Sequence, residues 1–106
     1  MDKYDKDKPP IDLVPSVLVE EVAKVLAFGA EKYSEHNWRE GTSWTRMYSA
    51  CMRHMLLWND GETNDPDSGL NHLTHAACNL AFLLEYESRG LGTDDRFHSG
   101  LKGKKK

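Results

Sequence analysis

Two apolar segments with helical periodicity, at about 44–59 and 69–89, constrain the fold of this chain more than any other feature. Apolar residues recur in both at spacings of three and four, which is typical of α-helices, and they cover more than one face. A similar stripe occupies about 16–33, and no strand pattern is visible. The sequence therefore predicts an all-α fold, a small helical bundle of three main helices with an extended N-terminal lead-in.

Local signals predict where these helices begin and end. The second helix is expected to stop at the Asp-Gly turn formed by Asp60 and Gly61, and Gly90 is expected to supply a left-handed cap for the third. Three prolines between residues 9 and 15 favour an extended lead-in before the first helix. The residues expected to cap the helix starts are Ser16, then Thr42 or Ser43, then Asp67 or Ser68.

The chain has 106 residues, a length that suits one domain. We expect an extended lead-in at 1–15, a helical domain at 16–90 and a flexible basic tail at 91–106. Three helices have too little mass to cover both apolar faces of the second and third. The sequence therefore predicts a homodimer or homotetramer, and a well-packed monomer with some exposed apolar residues is the alternative.

Charge and hydropathy exclude several classes of protein. Between residues 11 and 90 we count 12 Asp and Glu against 6 Lys and Arg, so nucleic-acid binding is unlikely for this acidic body. No apolar run approaches the roughly 20 residues that a membrane-spanning helix needs, and the N-terminus lacks the apolar core of a signal peptide. We expect a cytoplasmic protein, with Cys51 and Cys78 as reduced core thiols.

Histidines and acids concentrate around the junction of the second and third helices. His72 and His75 are three residues apart, so they share a helix face and suit one divalent metal or a phosphate, although an exposed polar face is the simpler explanation. The turn carries Glu62 and Asp65 back toward them, where they would complete an oxygen-rich shell or stay solvated. His54 is either a further ligand or a partly buried histidine with a structural role.

Other residues have the chemistry to bind a nucleotide. Arg46 and Arg53 lie seven residues apart on one helix face and would grip phosphate together, with salt bridges to the acidic body as the alternative. Lys32, Asn37 and Trp38 offer a cation, an amide and a flat ring that suit phosphate, base edge and base stacking. Trp38 is also a candidate lid on the core.

Asn79 lies one helical turn beyond His75, among alanine, cysteine and leucine residues. A buried amide needs hydrogen-bond partners. A ligand, a water or a neighbouring histidine would each satisfy it.

The series KPPIDLVP, GAEKYSEHNW, RHMLLWNDGE and DSGLNHLTHAACNLAFLL, which runs from about Lys8 to Gly90, resembles a known family. It is similar to the phage and prophage dATP/dGTP diphosphohydrolase N-terminal domains, which are related to the MazG-like all-α nucleoside triphosphate pyrophosphohydrolases. The resemblance implies an enzyme that hydrolyses dGTP or dATP to the monophosphate and pyrophosphate. It also implies a divalent metal such as Mg²⁺ and an oligomeric helical bundle.

The sequence departs from the wider MazG-like pattern, in which carboxylates on two helices form the metal site. The matching positions here hold Arg53 and His54 on one helix and His72 and His75 on the next. A mixed shell of imidazole and carboxylate favours Mn²⁺, Co²⁺ or Fe²⁺ over Mg²⁺.

The resemblance and the residues together give each candidate a role. Glu62 would orient or deprotonate the attacking water if it is not itself a ligand of the metal. The expected metal ligands are His54, Glu62, Asp65, His72 and His75. The expected substrate-binding residues are Lys32, Arg46 and Arg53 for the phosphates and Asn37, Trp38 and Asn79 for the sugar or base.

Two other classes of protein remain open from the sequence. One is a catalytically silent helical module that binds a nucleotide or a metal, and the other is a small nucleic-acid-associated phage protein that uses the lysine tail. A phosphohydrolase of the HD type is disfavoured because the chain has no adjacent His-Asp pair.

Overall fold

The computed structural model describes residues 7–32 and 41–97, and it contains three α-helices in this part of the chain. They are α1 (Ser16–Lys32), α2 (Trp44–Asn59) and α3 (His72–Arg89). The described residues form no strand, only two isolated bridges, between 43 and 93 and between 64 and 71. The predicted all-α fold is confirmed. None of the described helices is long and apolar enough to cross a bilayer.

The helices α2 and α3 form a hairpin, and α1 packs against α3. Their buried apolar side chains form a small core, with Tyr86 only 1% exposed. Both cysteines are free thiols in this core, as predicted. Burial raises the pKa of the Cys78 thiol to about 11. The buried apolar residues of the described chain are Val25, Cys51, Ala76, Cys78 and Tyr86.

Most of the predicted helix ends are confirmed. Ser43 caps α2 because its hydroxyl accepts a hydrogen bond from the Arg46 N–H at 3.3 Å. Asp60 is the C-terminal cap of α2, and Gly61 follows with a φ of 105°. Gly90 ends α3 in the left-handed conformation, with φ 67° and ψ 37°. Ser16, the expected cap of α1, is instead its first helical residue.

The start of α3 differs from the prediction. The cap is Asn71, whose side chain accepts from the Leu73 N–H at 2.8 Å, and the helix begins at His72 and not at Gly69. Gly69 has a φ of 74°, which is incompatible with a right-handed helix. The hydroxyl of Ser68, an expected cap, contacts Asp65 and His75 instead. The loop is therefore longer than predicted and keeps its own polar contacts.

The N-terminal segment also departs from the prediction of an extended lead-in. Residues Ile11–Leu13 form one turn of 3-10 helix. Ile11 and Leu13 are 78% and 75% exposed, so their side chains do not pack on the described body of this single chain.

The segment 91–97, expected to be part of a flexible tail, contacts the start of α2, and we refer to it as the C-terminal clamp. Thr93 accepts a hydrogen bond from the Trp44 N–H at 3.0 Å and donates one to the Thr42 carbonyl at 3.2 Å. The Asp95 carboxylate accepts from the Thr45 N–H at 3.0 Å, which satisfies a free amide of the first helical turn. These contacts join residues 91–97 to the start of α2.

Two glycines allow this contact. Gly41 and Gly92 have φ values of 85° and 74°. A Cβ on Gly92 would lie 2.3 Å from the Thr42 carbonyl oxygen, and one on Gly41 would lie 2.4 Å from the Gly92 nitrogen. Only glycine fits where the two backbones approach this closely.

Candidate active site

Three imidazoles meet where α2 and α3 join through the loop 60–71, and we call His54, His72 and His75 the histidine cluster. His54 comes from the second half of α2, and the other two come from the first turn of α3. The His54 ring stacks on that of His75 with centroids 4.6 Å apart and lies 5.1 Å from that of His72. The structure thus brings together the three histidines that the sequence singles out.

His54 and His72 are joined by a hydrogen bond between their Nδ1 atoms, which lie 2.9 Å apart. Two neutral imidazoles can form this bond only if one Nδ1 carries a proton and the other offers a lone pair. The tautomer of one ring therefore sets the tautomer of the other. His72 is only 1% exposed, so this pairing is inside the protein.

The second nitrogen of His72, Nε2, is buried and has no hydrogen-bond partner among the described residues. It lies 3.4 Å from Oε1 of Glu62, whose side chain is 41% exposed. This separation is long for a hydrogen bond. It matches the distance of about 3.0–3.4 Å between neighbouring ligands that each lie about 2.1 Å from one ion. The unpartnered nitrogen and the facing carboxylate thus fit a divalent cation between them.

A second pair lies beside the first. His75 Nε2 is 3.5 Å from Oδ2 of Asp65 and 2.7 Å from the hydroxyl oxygen of Ser68. Ser68 also donates to the Asp65 carboxylate at 3.2 Å and accepts from the Leu70 N–H at 3.1 Å. The sequence analysis considers Ser68 only as a helix cap. Its spacing of three residues from Asp65 and seven from His75 is the signal that could have indicated this contact.

The predicted metal ligands therefore form two neighbouring pairs and not one shared shell. Glu62 faces His72, and Asp65 faces His75, while His54 contacts both rings. In the ranges 7–32 and 41–97, no group of three or more His, Cys, Asp or Glu side chains is positioned to hold a metal ion.

The environment lowers the pKa values of two of these imidazoles, His54 and His75, and of one carboxylate, Asp65. Burial lowers the pKa of His54, and the neighbouring imidazoles of His75 and His72 lower it further. Burial also lowers the pKa of His75, against the attraction of Asp65. Burial alone would raise the pKa of Asp65, but hydrogen bonds from the Asp67 N–H and the Ser68 hydroxyl bring it below its usual value. Neutral imidazoles retain the lone pair that a cation requires.

The two predicted phosphate-binding arginines are exposed on α2. Neither Arg46 nor Arg53 forms an ion pair with any residue that the structure describes. Arg53 is adjacent in sequence to His54 and contributes a repulsive charge that helps to lower the pKa of that imidazole. The salt bridges considered as the alternative are therefore not formed within the described chain.

Asn79 is oriented into the hairpin below the histidine cluster. Its amide nitrogen donates to the sulfur of Met47 at 3.0 Å, and its Oδ1 atom is buried without a described partner. The predicted hydrogen-bond partner of this amide is therefore present for its nitrogen and not for its oxygen among the described residues. Lys32 is the last residue of α1, and its side chain lies outside the described part, as do Asn37 and Trp38.

An open apolar cavity of about 630 Å³ lies at the opposite end of the hairpin. It contains none of the predicted site residues, and its only charged side chains are those of Glu87 and Arg96. Chemistry on a triphosphate requires cation-binding and proton-accepting groups. The histidine cluster, and not this apolar cavity, is therefore the candidate active site. The cavity is lined by Trp44, Thr45, Tyr48, Leu80, Leu83, Leu84, Glu87, Arg96 and Phe97.

Fold and site together define a small all-α domain in which imidazoles and carboxylates collect at the loop of a helical hairpin. Residues 1–96 match the family described as dATP/dGTP diphosphohydrolase, N-terminal, and the chain belongs to that family. It is also similar to a protein named dATP/dGTP diphosphohydrolase from Salmonella phage PMBT28, with 37% identity over 94 residues. The match covers 89% of this chain but 32% of the phage protein, so the chain spans about a third of that relative. No solved structure matches the chain.

Proposed function

We propose that this domain hydrolyses purine deoxynucleoside triphosphates, dGTP or dATP, to the monophosphate and pyrophosphate. Membership of the family and the name of the phage relative support the substrate class. One observation carries the proposal to particular residues. It is the buried Nε2 of His72, which has no hydrogen-bond partner in the ranges 7–32 and 41–97 and faces the Glu62 carboxylate at 3.4 Å.

The donor set suggests how a divalent cation would be held. Glu62 and His72 are the residues that we assign to it, and their mixture of oxygen and nitrogen favours Mn²⁺ or Co²⁺ over Mg²⁺. A bound cation would neutralise negative charge on the phosphates and on the leaving pyrophosphate. His54 fixes the orientation of His72 through the hydrogen bond between their Nδ1 atoms.

The remaining roles belong to side chains around this pair. Glu62 is partly exposed and faces His72 with Oε1, so its other carboxylate oxygen would accept the proton of the attacking water molecule. Arg46 and Arg53 carry charges that no described side chain pairs, and they would bind phosphate oxygens.

We assign the other predicted substrate contacts to the sugar, the base and the outer phosphates. The buried Oδ1 of Asn79 would accept a hydrogen bond from the sugar or base. Lys32 would contact phosphate, and Asn37 and Trp38 would contact the base.

The test is a screen of the common deoxynucleoside triphosphates against Mg²⁺, Mn²⁺ and Co²⁺, with detection of both products. We expect monophosphate and pyrophosphate from dGTP or dATP and greater turnover with Mn²⁺ or Co²⁺. Release of orthophosphate instead would contradict cleavage between the α and β phosphates.

Variants assign the activity to the site. His72→Ala and Glu62→Gln should each abolish turnover while leaving helicity nearly intact. Glu21→Gln is a matched control, because Glu21 is on α1 and pairs with Lys24. Turnover by His72→Ala equal to that of the unchanged protein would remove His72 from the mechanism.

A second function is a catalytically silent module that binds a nucleotide or a metal. It is favoured by the finding that no group of three ligands converges in the described part of the chain. Saturable binding of dGTP without release of pyrophosphate under any ion of the screen would support the module over the enzyme.

We further propose that the domain functions as a homodimer or homotetramer. Exposed apolar side chains lie on the outer faces of α2 and α3 and include Leu84 at 67% exposure and Tyr48 at 57%. Patches of this kind mark interfaces. Light scattering coupled to size exclusion should give two or four chains, and Leu84→Glu should shift the mass toward one chain. A monomer at all concentrations would refute the assembly.

A further inference from the structure

We propose that Ser68 is a positioning residue that fixes His75 with its proton on Nε2 and its lone pair on Nδ1. On this assignment Asp65 acts through Ser68 as an orienting group and is not itself a metal ligand. The inference rests on the proposed function for its catalytic consequence, but the contacts that carry it are independent of any substrate.

The hydroxyl of Ser68 has one proton to donate and two lone pairs with which to accept. One lone pair accepts from the Leu70 N–H at 3.1 Å. Two contacts of the hydroxyl remain, with the Asp65 carboxylate at 3.2 Å and with His75 Nε2 at 2.7 Å. The hydroxyl has one proton and one lone pair left to make them. An ionised carboxylate can only accept, so it takes the hydroxyl proton. His75 must then donate from Nε2 to the remaining lone pair.

The opposite arrangement leaves the network unsatisfied. If the Ser68 hydroxyl donated to His75, its lone pairs would face the Asp65 carboxylate at 3.2 Å, and two acceptors would be in contact. The bare Nε2 of His75 would also face the same carboxylate oxygen at 3.5 Å. Unsatisfied groups in a partly buried network are costly, so the first arrangement is selected.

The selected tautomer determines which atom His75 offers. With Nε2 protonated, only Nδ1 has a lone pair for a cation or a ligand N–H. Carboxylates that orient a metal-binding histidine in this way bind its other ring N–H, directly or through an intermediate group. Asp65 and Ser68 occupy that position behind His75, whereas Glu62 faces His72 without an intervening residue.

The experiment measures the His75 tautomer by ¹⁵N NMR in the metal-free protein and the affinity for Co²⁺ by calorimetry. We expect the unchanged protein to show a protonated Nε2 and an unprotonated Nδ1 on His75. Ser68→Ala should give a mixture of tautomers and lower the Co²⁺ affinity by about 10–100-fold. Ser68→Thr retains the hydroxyl and should preserve both measurements. Circular dichroism checks that the variants remain folded.

A double-variant cycle tests the assignment of Asp65. If Asp65 acts through Ser68, Asp65→Asn and Ser68→Ala should have similar effects that do not add when combined. A much larger loss of Co²⁺ affinity in Asp65→Asn, additive with that of Ser68→Ala, would identify Asp65 as a ligand and overturn this part of the inference.

Two other results would overturn the role of Ser68. They are a proton on Nδ1 of His75 in the unchanged protein, and a tautomer and Co²⁺ affinity that do not change in Ser68→Ala. The NMR result is read without substrate or metal. A protein that shows the expected tautomers but neither binds Co²⁺ nor hydrolyses dGTP would therefore contradict the proposed function and leave the Ser68 assignment standing.

Discussion

The histidine cluster should make the fold sensitive to mild acid, and replacing one imidazole should remove part of that sensitivity. The perturbation is a fall from about pH 8 to about pH 5, applied to the unchanged protein and to His54→Gln. Glutamine can still accept a hydrogen bond from His72 Nδ1 through its amide oxygen but does not titrate. His98→Gln is the matched control, because it leaves the three cluster histidines in place.

The sign follows from the direction of the pKa shifts. The pKa values of His54 and His75 are lowered in the folded state by burial; the neighbouring imidazoles lower that of His54 further, whereas Asp65 opposes the shift of His75. Below the unfolded value of about 6.5 the unfolded chain therefore binds more protons than the folded one. The stability associated with the neutral imidazoles is fully present above that pH and is lost as the pH falls toward the folded pKa values.

The magnitude has two bounds. Each histidine can contribute a slope of at most about 1.4 kcal/mol per pH unit to the free energy of unfolding. Charging His54 and His75 together, with ring centroids 4.6 Å apart, costs about 1 kcal/mol at a dielectric of 80 and about 4 kcal/mol at 20. Because the site is partly open, we expect a value in the lower half of this range.

The assay is urea unfolding followed by circular dichroism at a series of pH values. We expect the free energy of unfolding to fall with pH below about 6.5 in the unchanged protein and in His98→Gln. The slope in His54→Gln should be shallower by up to about 1.4 kcal/mol per pH unit. Parallel curves for His54→Gln and the unchanged protein would show that the three imidazoles are not in the contact described here.

Three further predictions concern the rest of the fold. Gly90→Ala should lower the free energy of unfolding by about 1–2 kcal/mol through its left-handed φ alone. Gly92→Ala should lower it by more, because its Cβ would meet the facing backbone at 2.3 Å. Equal losses of the two variants in urea unfolding would contradict the close approach. With its pKa raised to about 11, the Cys78 thiol should react with a thiol reagent only as fast as the protein opens; labelling at the rate of a free thiol would contradict its burial. Asp95→Asn should speed hydrogen exchange in the first turn of α2 more than Asp94→Asn does, since the Asp95 carboxylate accepts from the Thr45 N–H of that turn. Identical exchange in the two variants would argue against the clamp.

The sequence predicts the ends of α2 well because its signals are local. Ser43 caps the helix from the adjacent position, and Asp60 with Gly61 forms the turn that stops it. The start of α3 is harder to predict. Asp67, Ser68 and Asn71 are all good capping residues. Asn71 caps the helix, while the hydroxyl of Ser68 contacts His75, seven residues further along the chain. Tertiary contacts decide between capping residues that are locally equivalent.

In the candidate site, too, the features with a local signal in the sequence can be predicted, and those that depend on tertiary contacts cannot. The spacing of His72 and His75 places both on one helix face, and this is enough to predict that they lie together. Glu62 pairs with His72 and Asp65 pairs with His75 because of the path that the loop takes. No periodicity in the sequence predicts that path. The C-terminal clamp joins residues about 50 positions apart through Asp95, and an acidic residue in a polar tail carries no local sign of such a contact.

The clamp also has a mechanical consequence. It fastens the hairpin at the end opposite the loop, and the ten residue steps along α2 from Trp44 to His54 span about 15 Å of helix. Tension applied to the chain beyond residue 97, for example by a tethered protein, would be borne first by hydrogen bonds that run across the start of α2. The imidazoles are remote from the C-terminal clamp, so a protein fused after it should disturb their geometry little.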